Sequence, residues 1–488
     1  MSTAAATAEG GADRRRWYAL VVVCLAMLMN TLDATVVNVA LPKIQHDLNF
    51  TQAGLAWVID AYLVAFAGFL LMAGRLGDLV GRKKVFLGGL AGFTASSAVC
   101  GLANDQTLLI VARFVQGATG ALSTSVILAI IATEFRDPHE RARAMSAYIF
   151  VAVGGGSVGL LAGGVITEAL NWHWIFFINL PIGVVALALG ALLVPENKGL
   201  GFREGIDVAG SVLVTAGLLA AIYAVVKSSD YGWGSARTLG VLAGAVVLLA
   251  GFVALEARVR KPIMPLRVFR VPGLASSSVV RSFLFVGMFG CFFIGTLYLE
   301  HVLRYSALQT GFAFMPMTLI IAFFSSGVTA NLVRRFGPWR VLLPAMLAII
   351  AGLLLLAQAG VHAGYFPLLL IALLLMGAGM GTGSVPLLTL AMSDVPPADA
   401  GLASGIVNVS QQVAGAAGVA VLGTVATDHT RSLLAHGTGL PAALTAGYHV
   451  AFLVGAGWVA VGVLAAIALV RPSRRSARRL APSARTQG

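Results

Sequence analysis

Three ionisable residues sit where the sequence is otherwise apolar: Asp33 in the run 18–41, Asp60 in 53–74 and Arg113 in 107–132. Charged groups in apolar runs are costly, and chains that keep them use them. At 1.5 Å per helical residue, all three lie roughly 11–12 Å below the same face of an apolar layer. Two carboxylates and one guanidinium leave one negative charge over. Arg113 can neutralise one acid; the other is then a desolvated carboxyl, able to take a proton from one side and release it to the other. The alternative is a static hydrogen-bonded knot that fixes helix packing. Which acid carries the proton the sequence leaves open, since coupled groups titrate as a pair.

These residues need helices to hold them. The chain has 488 residues, 58% hydrophobic and 11% charged. A water-soluble protein needs far more polar surface. Apolar runs of roughly 20 residues recur throughout, the length that crosses a ~30 Å hydrocarbon core as helix. A β-barrel would show shorter, strictly alternating strands. The expectation is an all-α integral membrane protein with fourteen spanning helices, near 18–41, 53–74, 85–103, 107–132, 143–168, 173–194, 206–227, 237–257, 273–299, 309–332, 339–360, 364–390, 399–426 and 447–470. The first run follows "DRRR" and is too long for a signal peptide, so it reads as a retained helix.

The net charge of +13 does not point to nucleic acid. Lys43, Lys227, Arg237, Arg304 and Arg431 fall in outer links, and Arg113 and Arg281 fall inside helices. Every other Lys and Arg lies on the side of the N-terminus, as the positive-inside rule requires. Both termini are therefore expected in the cytoplasm. Cys24, Cys100 and Cys291 are scattered in apolar runs and read as packing residues, with no disulfide and no metal site. No catalytic cluster occurs, so no enzyme and no cofactor are expected; a membrane enzyme or receptor would need a site that is absent.

The hairpin "GRLGDLVGRKK", residues 74–84, carries more than topology needs. Arg82, Lys83 and Lys84 satisfy the positive-inside rule, but Asp78 does not, and Gly74, Gly77 and Gly81 permit a tight turn against neighbouring helices. "ANLVRRFGPWRVL" at 330–342 aligns with it without gaps, Gly337 on Gly81. The chain thus divides into a cytoplasmic N-terminus 1–17, a six-helix half 18–194, an inserted helix pair and linker 195–272, a second half 273–470 and a basic tail 471–488. Repeated halves around a central site are a common transporter plan.

The second half lacks the charges of the first. Its helix at 273–299 has Arg281 near the inner end, either snorkelling to the interface or lining a cavity. Glu168 and Glu300 fall at outer helix ends, where water is expected to solvate them. A lipophilic substrate surface is expected around Met288, Phe289 and Phe292, joined by Asn408, Gln411 and Gln412, which share a helix face. The competing readings are lipid contact for the aromatics and interhelical hydrogen bonds for the amides.

At this point the chain resembles the major facilitator superfamily, in its fourteen-helix drug:proton antiporter branch. "GRLGDLVGRKK" matches the superfamily's loop between helices 2 and 3. The resemblance implies that Gly74, Asp78, Gly81 and Arg82 form a conformational lock, with Asp78 and Arg82 as its charges. "LDATVVNVALP", residues 32–42, "LLIVARFVQGATGA", residues 108–121, and "NWHWIFFINLPIG", residues 171–183, resemble the branch's motifs on helices 1, 4 and 6. The first contains Asp33, and the second implies a part in proton transfer for Arg113; Asp60 lies outside these motifs and is a proton-coupling candidate from its place in an apolar run alone. The helix-5 antiporter motif departs: "GLLAGG", 159–164, has Leu160 where proline is usual, while Gly155, Gly159, Gly163 and Gly164 remain. The implied function is proton-coupled export of lipophilic or cationic drugs or antibiotics across the plasma membrane by alternating access, with small molecules, protons and the bilayer as partners. A proton-coupled exporter of lipid or an endogenous metabolite is the alternative, and an uptake symporter a further one.

Overall fold

The computed structural model describes residues 2–135, 137–197, 199, 201, 207–259, 262, 273–392 and 400–469, and among these every regular element is a helix. In chain order they are α1 Ser2–Asp47, α2 Gln52–Val80, α3 Arg82–Gly101, α4 Gln106–Glu134, α5 Pro138–Ala169 and α6 Trp174–Leu193, then α7 Val208–Tyr231 and α8 Ala236–Glu256. Next come α9 Leu274–Val302 and α10, which runs Ala307–Phe323 and through a π turn Phe324–Val328 into Thr329–Phe336. The last are α11 Pro338–Leu356, α12 Leu370–Met392, α13 Ala400–Ala435 and α14 Leu440–Leu469. Among the described residues, eleven helices are long and apolar enough to cross a membrane, and shorter apolar stretches Gly54–Leu70, Val158–Ala169 and Ala307–Phe323 lie in α2, α5 and α10.

Local chemistry starts and stops these helices. Thr51, Asp105, Asp207 and Ser235 accept hydrogen bonds from the first-turn backbones of α2, α4, α7 and α8. Each satisfies a donor that a helix start leaves without a partner. Ser306 and Gln309 form a reciprocal capping box on α10. Three of the described helices stop at glycines with positive φ, α7 at Gly232 (φ +86°), α2 at Gly81 (φ +112°) and α10 at Gly337 (φ +83°), and the last two stand in corresponding hairpins. These are the two positions that the sequence repeat aligns, and side-chain-bearing residues rarely adopt such backbones. Several helices outrun the expected ends: α1 continues to Asp47 and α13 to Ala435, because helical hydrogen bonding persists where the apolar run gives out.

The first six helices pack on one another, with α2 on α4, α1 on α5 and α3 on α4; so do the last six, with α9 on α13 and α14 and α11 on α12. The pair α7 and α8 stands apart: α7 leans on α2 and α13, while α8 rests on α7 and turns Leu239, Val246 and Val247 outward. The end of the bundle bearing Arg15, Arg82 and Lys83 is called here the basic end, and the opposite one the far end. At the far end the first six helices meet the last six. A Cβ at Gly164 on α5 would meet the Ala307 carbonyl oxygen at 2.8 Å, and one at Gly311 on α10 the Leu160 carbonyl oxygen at 2.7 Å. Glu168 Oε2 accepts from Ser306 Oγ at 2.7 Å and from the Leu308 backbone N–H at 3.2 Å.

Candidate functional site

Inside the first six helices, α1, α3, α4 and α6 deliver polar groups to one dry point. Asp33 is fully buried and Arg113 is 1% exposed. Arg113 Nη1 donates to Asp33 Oδ2 at 2.6 Å and to Gln116 Oε1 at 2.7 Å, and its Nε donates to the Val58 carbonyl on α2 at 2.9 Å. The other Asp33 oxygen accepts from Gln116 Nε2 and from Asn179 Nδ2, each at 2.9 Å. Both amides also donate to Ser97 Oγ, at 2.6 and 3.1 Å. The guanidinium stacks over the Tyr62 ring at 4.4 Å. Asp33 thus keeps a counter-charge and three donors, which is what a buried ion pair requires if its attraction is to offset desolvation. The fork of Arg suits this, since its donors reach a carboxylate, an amide and a carbonyl at once.

Asp60 does not join this network. It is fully buried, and neither carboxylate oxygen has a hydrogen-bond partner. The period of α2 explains why. Val58 and Tyr62 face α4, where Arg113 and Gly117 meet their backbones. Trp57 and Gly68 face α7, against Tyr223 and Thr215. Position 60 falls on neither face. The structure therefore brings together Asp33 and Arg113 and separates Asp60 from both, so the three-way cluster expected from common depth is a pair plus a lone acid. Common depth along three helices says nothing of direction around them.

Sequence reasoning singled out neither Gln116 nor Asn179 nor Ser97. Gln116 follows Arg113 at i+3, a spacing that puts the two on one helix face, and that signal was available. Asn179 and Ser97 are uncharged polar residues in apolar runs, where such residues are common.

The remaining candidates lie elsewhere. On α5, Gly155, Gly159 and Gly163 seat against Leu28 and Thr31, Leu32 and Thr35, and Val36 of α1, while Gly164 meets α10. A side chain at any of them would push two helices apart. At the basic end, Gly74 and Gly77 approach Ser125 and Val126 of α4, Gly81 turns under Asn197, and Arg82 Nη1 donates to the Ala129 carbonyl at 3.4 Å. The side chain of Asp78 lies outside the described residues. On α9, Met288 and Phe289 are half-buried, and Phe292 is buried against Phe314 of α10. On α13, Asn408 is exposed and Gln412 half-buried, and Gln411 Oε1 accepts from Arg281 Nη2 at 2.8 Å.

Two expectations need correction. Arg281 does not snorkel: its guanidinium turns inward to Gln411 on α13 and to the Ser384 carbonyl on α12 at 3.3 Å. Glu300 is not solvated either. It is half-buried at the end of α9, with Oε1 shut off from solvent and without a partner, because the start of α10 folds over it. Glu168 is exposed, as expected, but engaged with α10.

Comparison with known proteins agrees with this architecture. The chain is 40% identical to the puromycin resistance protein of Streptomyces alboniger, over 91% of this chain and 90% of that one. It is 37% identical to the cephamycin export protein of Amycolatopsis lactamdurans, over 93% and 91%. Among solved structures, the inward-facing, unoccupied form of a bacterial homolog of the human lysosomal transporter Spinster superposes with a TM-score of 0.66 at 16% identity, covering 94% of this chain and 99% of that one. The Major Facilitator Superfamily profile matches residues 23–419, and the chain belongs to that superfamily.

Proposed function

We propose that this protein is a secondary transporter that exports lipophilic small molecules, drugs or antibiotics among them, in exchange for protons. The basic end faces the cytoplasm of the plasma membrane, as the positive-inside rule directs. Residues 18–194 and 273–470 act as two halves that rock about a central cleft, with the inserted pair α7 and α8 beside them. In the form described here the halves touch at the far end, through Glu168, Gly164 and Gly311, which supports a cytoplasm-open state.

The observation that carries the reading is Asp60: a buried carboxyl with two unpartnered oxygens, beside a first half whose other acid is already satisfied. Leaving an ionised carboxylate without a partner costs far more than protonating it, so Asp60 is the acid that takes and releases the proton. Asp33 and Arg113 hold the scaffold through which this change reaches α1, α4 and α6. Protons drive export only if they bind the two states unequally, and α2, which carries Asp60, packs across to α13 of the second half, a contact that rocking would remake. Single Asp33→Asn and Asp60→Asn variants are expected to reach the membrane and to lose gradient-driven efflux in inverted vesicles. Full gradient-coupled transport by the double variant would rule the proposal out.

A further inference from the structure

The last six helices contain a half-buried cation, Arg281, that has no anionic partner among the described residues. Arg281 lies on α9 about two turns from its basic end. Its contacts are neutral: Gln411 Oε1 at 2.8 Å, the Ser384 carbonyl at 3.3 Å and the face of Phe285 at 4.8 Å. Its Nε–H is buried and has no acceptor. Arg113 shows how this chain completes a buried guanidinium, with a carboxylate, an amide and a carbonyl. Arg281 lacks the carboxylate.

The position of Arg281 on its helix shows where the missing group comes from. On α9, Leu284 faces α12 at Gly383, Val286 and Phe289 face α13 at Gly418 and Gly415, and Gly287 faces α14 at Val459. Residues 281, 285, 288 and 292 recur at i, i+4, i+7 and i+11, a single stripe on which Arg281 and Met288 are half-buried and Phe285 and Phe292 are buried. α1 of the first half also packs on α9. The stripe reads cation, then Phe285, Met288 and Phe292. It offers a charged foot at the basic end and an apolar wall running toward the far end, with the exposed amide of Asn408 nearby on α13.

We infer that Arg281 binds the anionic head group of an amphiphilic substrate whose apolar body runs along α9 past the half-buried Met288. A carboxylate, sulfonate or phosphate supplies the acceptor that Nε–H lacks and the counter-charge that the second half lacks, and Arg suits such oxyanions because it offers two parallel donors. The inference deepens the export reading by naming the substrate's head group, and rests on that reading only for the direction of transport.

The test is equilibrium binding, which needs no proton gradient and so fails or succeeds apart from the export proposal. The full chain, in nanodiscs of zwitterionic phosphatidylcholine, is titrated with dansyl-aminoundecanoic acid and with its methyl ester. The acid is expected to bind about tenfold tighter or more, the factor that one charge-assisted hydrogen bond contributes. Arg281→Gln is expected to bring the acid to the level of the ester and leave the ester unchanged; Arg281→Lys is expected to keep part of the preference. Equal binding of acid and ester by the unaltered protein overturns the inference without any variant, and so does an acid preference that survives Arg281→Gln. Repeating the titration with phosphatidylglycerol in the disc identifies the source of the anion. Competitive loss of the acid's preference assigns the site to an anionic lipid head group, and its persistence assigns it to a free amphiphilic anion.

Discussion

The two halves hold their buried arginines differently. In the first half Arg113 is completed from within by Asp33, Gln116 and the Val58 carbonyl, and no solvent reaches it. In the second half Arg281 finds an amide, a carbonyl and a ring, and keeps a donor to spare. The acids differ likewise, Asp33 with a counter-charge and Asp60 without one. A residue type that is costly in an apolar interior is structural when the fold completes it and a site when it does not. Among the described residues, Asp60 on α2 has neither carboxylate oxygen partnered, and Arg281 on α9 has only neutral partners.

Stability measurements can break or sharpen that contrast. The largest effect is expected for Arg113→Met, which leaves Asp33 charged and alone; losing one partner of a buried pair costs about 3–5 kcal/mol. Thermal unfolding of the purified protein measures it. Replacing both partners, Asp33→Leu with Arg113→Met, is expected to recover most of that loss without recovering transport. A melting point as low as that of the single variant would show that packing, not charge, was lost. Next is Gly163→Leu, whose side chain would strike Val36 backbone and side chain; overpacking of this kind costs about 1–3 kcal/mol and lowers yield and melting point.

Smaller and opposite in sign are the incomplete residues. Asp60→Asn and Arg281→Met remove burdens rather than partners, so both are expected to leave the melting point unchanged or raise it. A drop comparable to that of Arg113→Met in either would erase the distinction between the halves. The smallest effect on stability is expected for Glu168→Gln, since the residue is exposed. Its readout is conformational: with the charge-assisted contact to the start of α10 weakened, spin labels at Leu170 and Leu440 should separate more often at the far end.

Much of the fold was legible because apolar runs of membrane length are hard to mistake, and the positions of Asp33 and Arg113 were legible from depth alone. What stayed hidden was direction around each helix. In a soluble helix a polar face shows which side is out, but α3 and α5 are apolar nearly all round, and no such face orients them. Hence depth alone groups Asp60 with Arg113, and leaves Arg281 between the interface and a cavity. Asn179 and Ser97 were missed because an uncharged polar residue among small apolar ones carries little weight until its neighbours are known. Glu300 was misread because a helix end is wet only if nothing folds across it.

The placement of α7 has a further consequence. By standing against both α2 and α13 it covers one flank of the seam, while on the other flank α5 and α10 meet directly, through Gly164, Gly311 and Glu168. The two flanks are therefore unlike: any shift of α2 against α13 has to be shared with α7, whereas α5 and α10 can part without disturbing the inserted pair.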